Sequence, residues 1–218
     1  MKLYLKHLIL FLSFLWITQG NSQNDSIPTN QIELLNSEYK DFVTVNNTIY
    51  AISQNSVLVA IDLKEDKHTI IKKDINAIAK KTNNDILFGS KEGEIFTINK
   101  KQKIKKIDEV DAEIFSILIN PKDEYVIYSS KSIYYNGKDY IPKKETIFYG
   151  KLREKYTGNQ LIEPDYIYLD KMNFVWFAYN EGEWGGNVCF FDLNKKEFIY
   201  DKWLRLDDDV KYLDKNDY

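Results

Sequence analysis

The stretch Asp165-Tyr-Ile-Tyr-Leu-Asp-Lys-Met-Asn-Phe174 returns 44 residues later as Asp209-Val-Lys-Tyr-Leu-Asp-Lys-Asn-Asp-Tyr218. Five pairs recur in register: Asp165/Asp209, Tyr168/Tyr212, Leu169/Leu213, Asp170/Asp214 and Lys171/Lys215. The first copy runs on into the apolar Val175-Trp-Phe177, whereas the chain ends on the second. The last residues therefore read as the opening of a further unit. A period of about 40 residues is that of architectures in which each repeat is one four-stranded sheet.

Upstream, the same grammar gives four units. The first strings together Asp41–Val45, Thr48–Ser53, Ser56–Leu63 and Lys67–Ile71. The second has Ile75–Ala79, Asp85–Ser90, Glu94–Asn99 and Lys103–Ile107. The third has Ile114–Ile119, Tyr125–Ser130, Ser132–Asn136 and Asp139–Ile141, and the fourth Tyr166–Leu169, Phe174–Tyr179, Asn187–Leu193 and Glu197–Tyr200. Turn residues punctuate them at Asn46-Asn47, Asn83-Asn84, Pro121–Glu124, Asn136-Gly137 and Asp170–Asn173. The chain holds 16 Tyr, 12 Phe and 4 Trp against 9 Gly and 4 Pro, a composition that favours strands. Only Gln31–Tyr39 and Asp74–Lys81 carry spacing compatible with a short helix.

Segments such as Val57–Ile61 and Phe174–Phe177 are nearly continuously apolar, as strands covered on both faces are. Lys100-Lys-Gln-Lys-Ile-Lys-Lys-Ile-Asp108 is polar, as a solvated outer strand is, and its lysines discourage edge pairing. The fold expected is all-β: a β-propeller, or a propeller segment, of four-stranded antiparallel blades. It has four full repeats, at about 41–73, 74–110, 111–163 and 164–206, plus the start of a fifth at 207–218. The third junction is long: Thr146-Ile-Phe-Tyr149 reads as an added strand or loop, and residues 23–40 as an N-terminal segment able to supply a closing strand.

Asp170-x-x-Asn173-Phe-Val-Trp-Phe-Ala178, followed by Gly185-Gly-Asn-Val-x-x-Phe-Asp192, resembles the periplasmic propeller repeat of two-component sensor proteins. Ile86-Leu-Phe-Gly-Ser-Lys-Glu-Gly-Glu-Ile-Phe96 resembles the same core, while Ile49–Ser53 with Leu58–Leu63 resembles the quinoprotein-like version. Ala178 stands where that repeat has Gly, and the first three units lack the quinoprotein docking Trp. The resemblance implies a propeller exposed in the cell envelope.

Lys2 and Lys6, the apolar run Leu8–Ile17 and the small or polar Thr18–Gln23 have the layout of a cleavable secretory signal peptide, residues 1–22. The apolar run is shorter than the roughly 20 residues that cross a bilayer, and no later segment is apolar enough to span. No cysteine stands in the cleavage zone for lipid attachment. Cleavage leaves 196 residues with 28 basic and 33 acidic side chains, net −5, which argues against nucleic acid as a partner. Cys189, the single cysteine, lies in an apolar strand and reads as a small core residue.

Catalytic chemistry is sparsely supplied, and no catalytic residue, metal site or cofactor is assigned. After cleavage His68 is the one histidine, on an outer strand, so a buried imidazole of the serine-nucleophile kind is missing. Gly89-Ser-Lys91 lacks the upstream glycine of a phosphate loop and reads as a blade turn. Arg153 and Arg205 are too few for a sialidase-like arginine triad. Asp207–Asp209 and Asp214–Asp217 lack the glycine and distal glutamate of a calcium loop, and Asp62 and Asp192 read as turn caps. The best binding feature is Tyr179-Asn-Glu-Gly-Glu-Trp-Gly-Gly186, in which Tyr179, Glu181, Glu183 and Trp184 offer aromatic faces and carboxylates on one loop. These features predict a non-catalytic exported module recognising a glycan, a peptide or an envelope protein through rim loops. The alternative is a polysaccharide hydrolase or lyase using Glu181 and Glu183 as its carboxylate pair.

Overall fold

The computed structural model describes residues 38–99, 102–142, 161–180 and 186–199. They form four sheets of four strands, and no helix occurs among them. The first sheet holds Tyr39–Val45 (β1), Thr48–Ser53 (β2), Leu58–Asp62 (β3) and Lys67–Lys72 (β4). The second holds Ile75–Lys80 (β5), Ile86–Ser90 (β6), Glu94–Ile98 (β7) and Ile104–Glu109 (β8). The third holds Ile114–Ile119 (β9), Tyr125–Ser129 (β10), Ile133–Tyr135 (β11) and Lys138–Tyr140 (β12). The fourth holds Tyr166–Leu169 (β13), Phe174–Asn180 (β14), Gly186–Asp192 (β15) and Glu197–Ile199 (β16). In each the strands lie in chain order and pair antiparallel.

β1 and β2 meet β5, β5 and β6 meet β9, and β9 meets β13. The first strand of every sheet is thus innermost, and successive sheets stack as propeller blades. Three seams bury what no sheet could cover alone. The first joins Tyr50, Ile52 and Leu58 to Ile75, Ile78 and Phe88. The second joins Ala77, Leu87 and Ile95 to Ile114, Ile117 and Ile127. The third joins Val126, Tyr128 and Ile133 to Val175, Phe177 and Phe191. Each large side chain fully buried in a seam contributes roughly 1.5–3 kcal/mol. The outermost strands tell the opposite story: β8 is exposed along most of its length, Lys105 and Lys106 included, and no residue of β4 or β16 is buried.

Asp74–Lys81 is not a helix: Ile75–Lys80 is β5. A β-bulge between Ile75 and Ala77 shifts the register by one, so Ile75 and Ile78, three residues apart, share the first seam while Ala77 and Ala79 enter the second. The bulge reproduces the i, i+3 spacing of a helix. Gly89 and Ser90 are the end of β6, and the turn falls after them. Residues 31–37 of the other helix candidate, the signal peptide, residues 146–149 and the partial fifth repeat lie outside the described residues.

Side chains of Asn and Asp build the turns. Asp170 Oδ1 accepts the backbone N–H of Met172 and of Phe174, both at 2.8 Å, and its Oδ2 accepts Trp176 Nε1–H at 2.9 Å. Asn173 takes the left-handed conformation, φ 69°, which Asn tolerates. The Asp-x-x-Asn…Trp signature is therefore a device for closing a hairpin. Asp62 and Asp192 cap the β3–β4 and β15–β16 turns in the same way.

Candidate functional site at the loop rim

The two ends of the blades differ. At one end the β2–β3 type loops meet the crossovers from blade to blade; we call it the loop rim. Its joints are backbone hydrogen bonds that recur: Ile75 N–H donates to Ser56 O, Val110 to Gly93 O and Leu161 to Ser130 O. An acidic residue precedes each innermost strand, namely Glu38, Asp74, Glu113 and Asp165. In the first three blades its backbone carbonyl accepts an N–H from the neighbouring loop (Gln54, Lys91 and Ser130), and in the fourth Asp165 Oδ2 accepts Asn180 N–H at 2.7 Å.

Just inside this acidic position the innermost strands are bulged. The register skips Lys40 in β1, Asn76 in β5 and Phe115 in β9. A bulge re-aims the extra residue away from the alternation of the strand. Here it brings side chains from separate blades together. Asn76 Oδ1 accepts Lys40 Nζ and Ser56 Oγ, each at 3.0 Å, and Asn76 Nδ2 donates to Glu113 Oε1 at 2.7 Å. One carboxamide thereby ties the first three blades at the inner end of the loop rim. Desolvation lowers the pKa of the Lys40 ammonium, against the opposing pull of the Glu163 carboxylate. Further out on this rim a cavity of about 210 Å³ is edged by the Asp111–Lys131 ion pair (2.7 Å) and by Ser132, which donates to Asp139.

The structure divides the residues expected from the sequence. Asn180 and Gly186, the ends of the expected binding loop, pair across β14 and β15 on the loop rim, while Glu181, Glu183 and Trp184 lie outside the described residues. Tyr179 is 1% exposed and packs in the third seam, where its hydroxyl meets that of Tyr128. Because Tyr128 also donates to Ile162 O, Tyr179 is the donor of the pair. The alternation of β14 points Tyr179 inward with Phe177 and Val175, so its ring is seam packing and not a rim face. Sequence reasoning overlooked Lys40 and Asn76, because a bulge leaves no signal in an apolar–polar pattern.

Other titratable groups serve the frame. Tyr125 and Tyr134 each donate to Asp108 Oδ2 at 2.6 Å, clamping β8 to the third blade. Burial pushes the Asp108 pKa up, but these two hydroxyls and the Glu109 N–H outweigh it and hold the carboxyl below its ordinary value. Burial, with the Asp108 bond second, pushes Tyr134 up to about 12 and Tyr125 higher still, so neither is an acid–base group near neutral pH. Cys189 is buried and its thiol is pushed up to about 12 by that burial. His68 sits on β4, 3.9 Å from Asp66. Among the described residues no group of three His, Cys, Asp or Glu side chains is placed to hold a metal ion.

Four meandering blades with innermost first strands define a β-propeller segment. No family model and no curated protein matches the chain. Solved structures do. The computationally designed Ika8 protein is similar with a TM-score of 0.54 and 12% identity over 85% of this chain and 55% of that one. Virginiamycin B lyase from Staphylococcus aureus follows with 0.52 and 14%, over 75% and 55%. An extracellular domain assigned to a hybrid two component system of B. thetaiotaomicron gives 0.52 and 12%, over 73% and 21%. The chain spans about half the length of the first two and a fifth of the third. The propeller-repeat fold expected from the sequence is thereby established.

Proposed function

We propose that this chain is an exported, non-catalytic recognition module of the cell envelope, belonging to a longer sensor-type protein. Its loop rim binds a glycan, a peptide or an envelope protein. The observation that carries this reading is the bulge-built cluster of Lys40, Asn76, Ser56 and Glu113, which presents both charge signs where three blades converge. Loops on a rigid scaffold commonly carry binding, and Asn180 and Gly186, which bound the expected binding loop, pair on this same rim. Similarity to an extracellular sensor domain supports the compartment.

The test is a screen of the exported chain against printed glycans and envelope peptides. The partner found is titrated against wild type, Asn76→Ala, Trp184→Ala and a Glu181→Gln/Glu183→Gln double variant. Weaker binding by the first two and retained binding by the third is expected. Polysaccharide cleavage that the double variant abolishes would overturn the reading in favour of an enzyme. Fusion of residues 1–30 to a leaderless phosphatase checks export: the enzyme becomes active outside the cytoplasm, and an inactive fusion contradicts the proposal.

A further inference from the structure

The opposite end of the blades, the turn rim, carries a second feature. Where the first two blades diverge, two adjoining cavities of about 340 and 290 Å³ open between them. They share Thr48, Tyr50, Ile98 and Gln102, and together have the volume of an ordinary ligand site. The rows Val43–Tyr50–Ala60–Thr69 and Val45–Thr48–Asp62–Lys67 face the seam from the first blade. Ile86 and Ile98 face it from the second. Farther along the seam Lys72 Nζ sits 4.5 Å from the centre of the Phe96 ring and bridges the blades.

The lining of the larger cavity is specific. Four carboxamides, Asn46, Asn84, Asn99 and Gln102, and two hydroxyls, Thr48 and Tyr50, surround the aliphatic Val45, Ile86 and Ile98. None of these side chains is charged. Turn geometry accounts for part of this: Asn46 and Asn84 hold positive φ of 54° and 68°, which Asn adopts readily. It does not account for Tyr50. Tyr50 is 6% exposed and lines both cavities, and its hydroxyl is not a buried orphan but opens onto the groove. A phenolic hydroxyl open to the groove can both donate to and accept from a ligand seated there. Nor does a turn require Gln102, which takes φ 55° where Gly, Asn or Asp is usual.

We infer that this inter-blade groove is a binding site for a neutral, polyhydroxylated ligand, two consecutive hexose units of an oligosaccharide. A charged ligand would be stripped of water in the larger cavity with no opposite charge among its described lining residues. Carboxamides both donate and accept, as hydroxyl groups do, and the aliphatic floor suits the C–H face of a sugar ring. Two cavities of similar size in contact fit two linked units. Asp62, Glu65 and Lys67 edge the second cavity and extend the polar margin. A peptide would ask for a row of backbone donors and acceptors along a sheet edge, whereas the larger cavity lies between the faces of two sheets. The site is at the other end of the blades from the loop rim, so it stands or falls independently of the rim reading.

The full chain, isotope-labelled, is titrated with cellobiose, maltose and laminaribiose at millimolar concentrations and followed by amide chemical shifts. At least one disaccharide shifts Asn46, Thr48, Asn84, Ile98 and Gln102 saturably. Tyr50→Phe keeps the ring, leaves the melting temperature unchanged and weakens binding about fivefold, the usual effect of one lost neutral hydrogen bond. Thr48→Val acts in the same direction. The inference is overturned if no disaccharide shifts these amides, if saturable shifts map to the loop rim, or if Tyr50→Phe binds as wild type does. It is equally overturned if acetyl-triglycine-amide shifts these amides and the disaccharides do not.

Discussion

Gly89→Ala tests the seam between the second and third blades directly. Gly89 lies in β6, paired with Ala77 on one side and Ile95 on the other. A methyl group there would lie 2.7 Å from Cγ2, 3.0 Å from Cδ1 and 3.1 Å from Cβ of Ile114. Carbon atoms in contact sit about 3.5–4.0 Å apart, so the intrusion is about 1 Å. Ile114 is 0% exposed and has no solvent to retreat into. Overpacking of this kind costs about 1–3 kcal/mol, against about 0.5–1 kcal/mol returned by replacing glycine in a strand. The central values leave a net loss of about 1 kcal/mol, which lowers the melting temperature by about 2–4 °C for a chain of this size. Ile114→Ala alone leaves a void and costs about 2–5 kcal/mol. In the double variant the new methyl occupies space that Ile114 vacated, so the two losses fall short of their sum by at least about 1 kcal/mol. Urea and thermal unfolding of the four proteins completes the cycle. A Gly89→Ala protein at least as stable as wild type, or additivity within about 0.5 kcal/mol, would refute face-to-face packing at this seam.

Other consequences follow from individual groups. Asp108→Asn, measured by urea unfolding, destabilises by about 1–2 kcal/mol near neutral pH, a figure reduced for the partial exposure of the carboxylate. The folded Asp108 pKa lies below its unfolded value, so the contribution is present above the unfolded pKa of about 4 and fades as pH falls through the folded one. The wild-type and Asp108→Asn curves therefore converge in acid, and parallel curves would contradict the clamp. Tyr179→Phe removes the donor to Tyr128 and costs about 1–2 kcal/mol in thermal unfolding; an unchanged melting temperature would exclude that bond. Cys189 resists an aromatic disulfide reagent in the native chain and reacts fully in denaturant, as a buried thiol pushed up to about 12 should. Rapid native labelling would place it elsewhere.

What the sequence disclosed, and what it hid, follows from burial. Strands covered on both faces, such as Ile86–Ser90, read as nearly continuous apolar runs, and solvated β8 reads as polar, so the blade pattern was written in residue type. Asx turns left Asp170 and Asn173 as visible marks. Bulges left none. At Ile75 to Ala77 the bulge imitated a helical spacing, and at Lys40 and Asn76 it turned two strand residues into a cluster spanning blades. Tyr179 looked like part of a loop because it adjoins Asn180 and Gly182, yet one residue of alternation decides between rim and seam. The inter-blade groove was hidden for another reason: Asn46, Thr48 and Tyr50 of one blade and Asn84, Ile98 and Gln102 of the next line one cleft only once the blades stack.

The claim on which the rest depends is that successive sheets stack face to face with their first strands innermost. Nuclear Overhauser contacts in the full chain read all three seams at once. The account predicts contacts of the Lys72 side chain with the Phe96 ring, of the Ile114 methyls with the Gly89 α-protons, and of the Tyr128 ring with Phe177, whose ring centres are 5.4 Å apart. Observation of all three supports stacked blades, and the absence of any one, with its partners assigned, contradicts them.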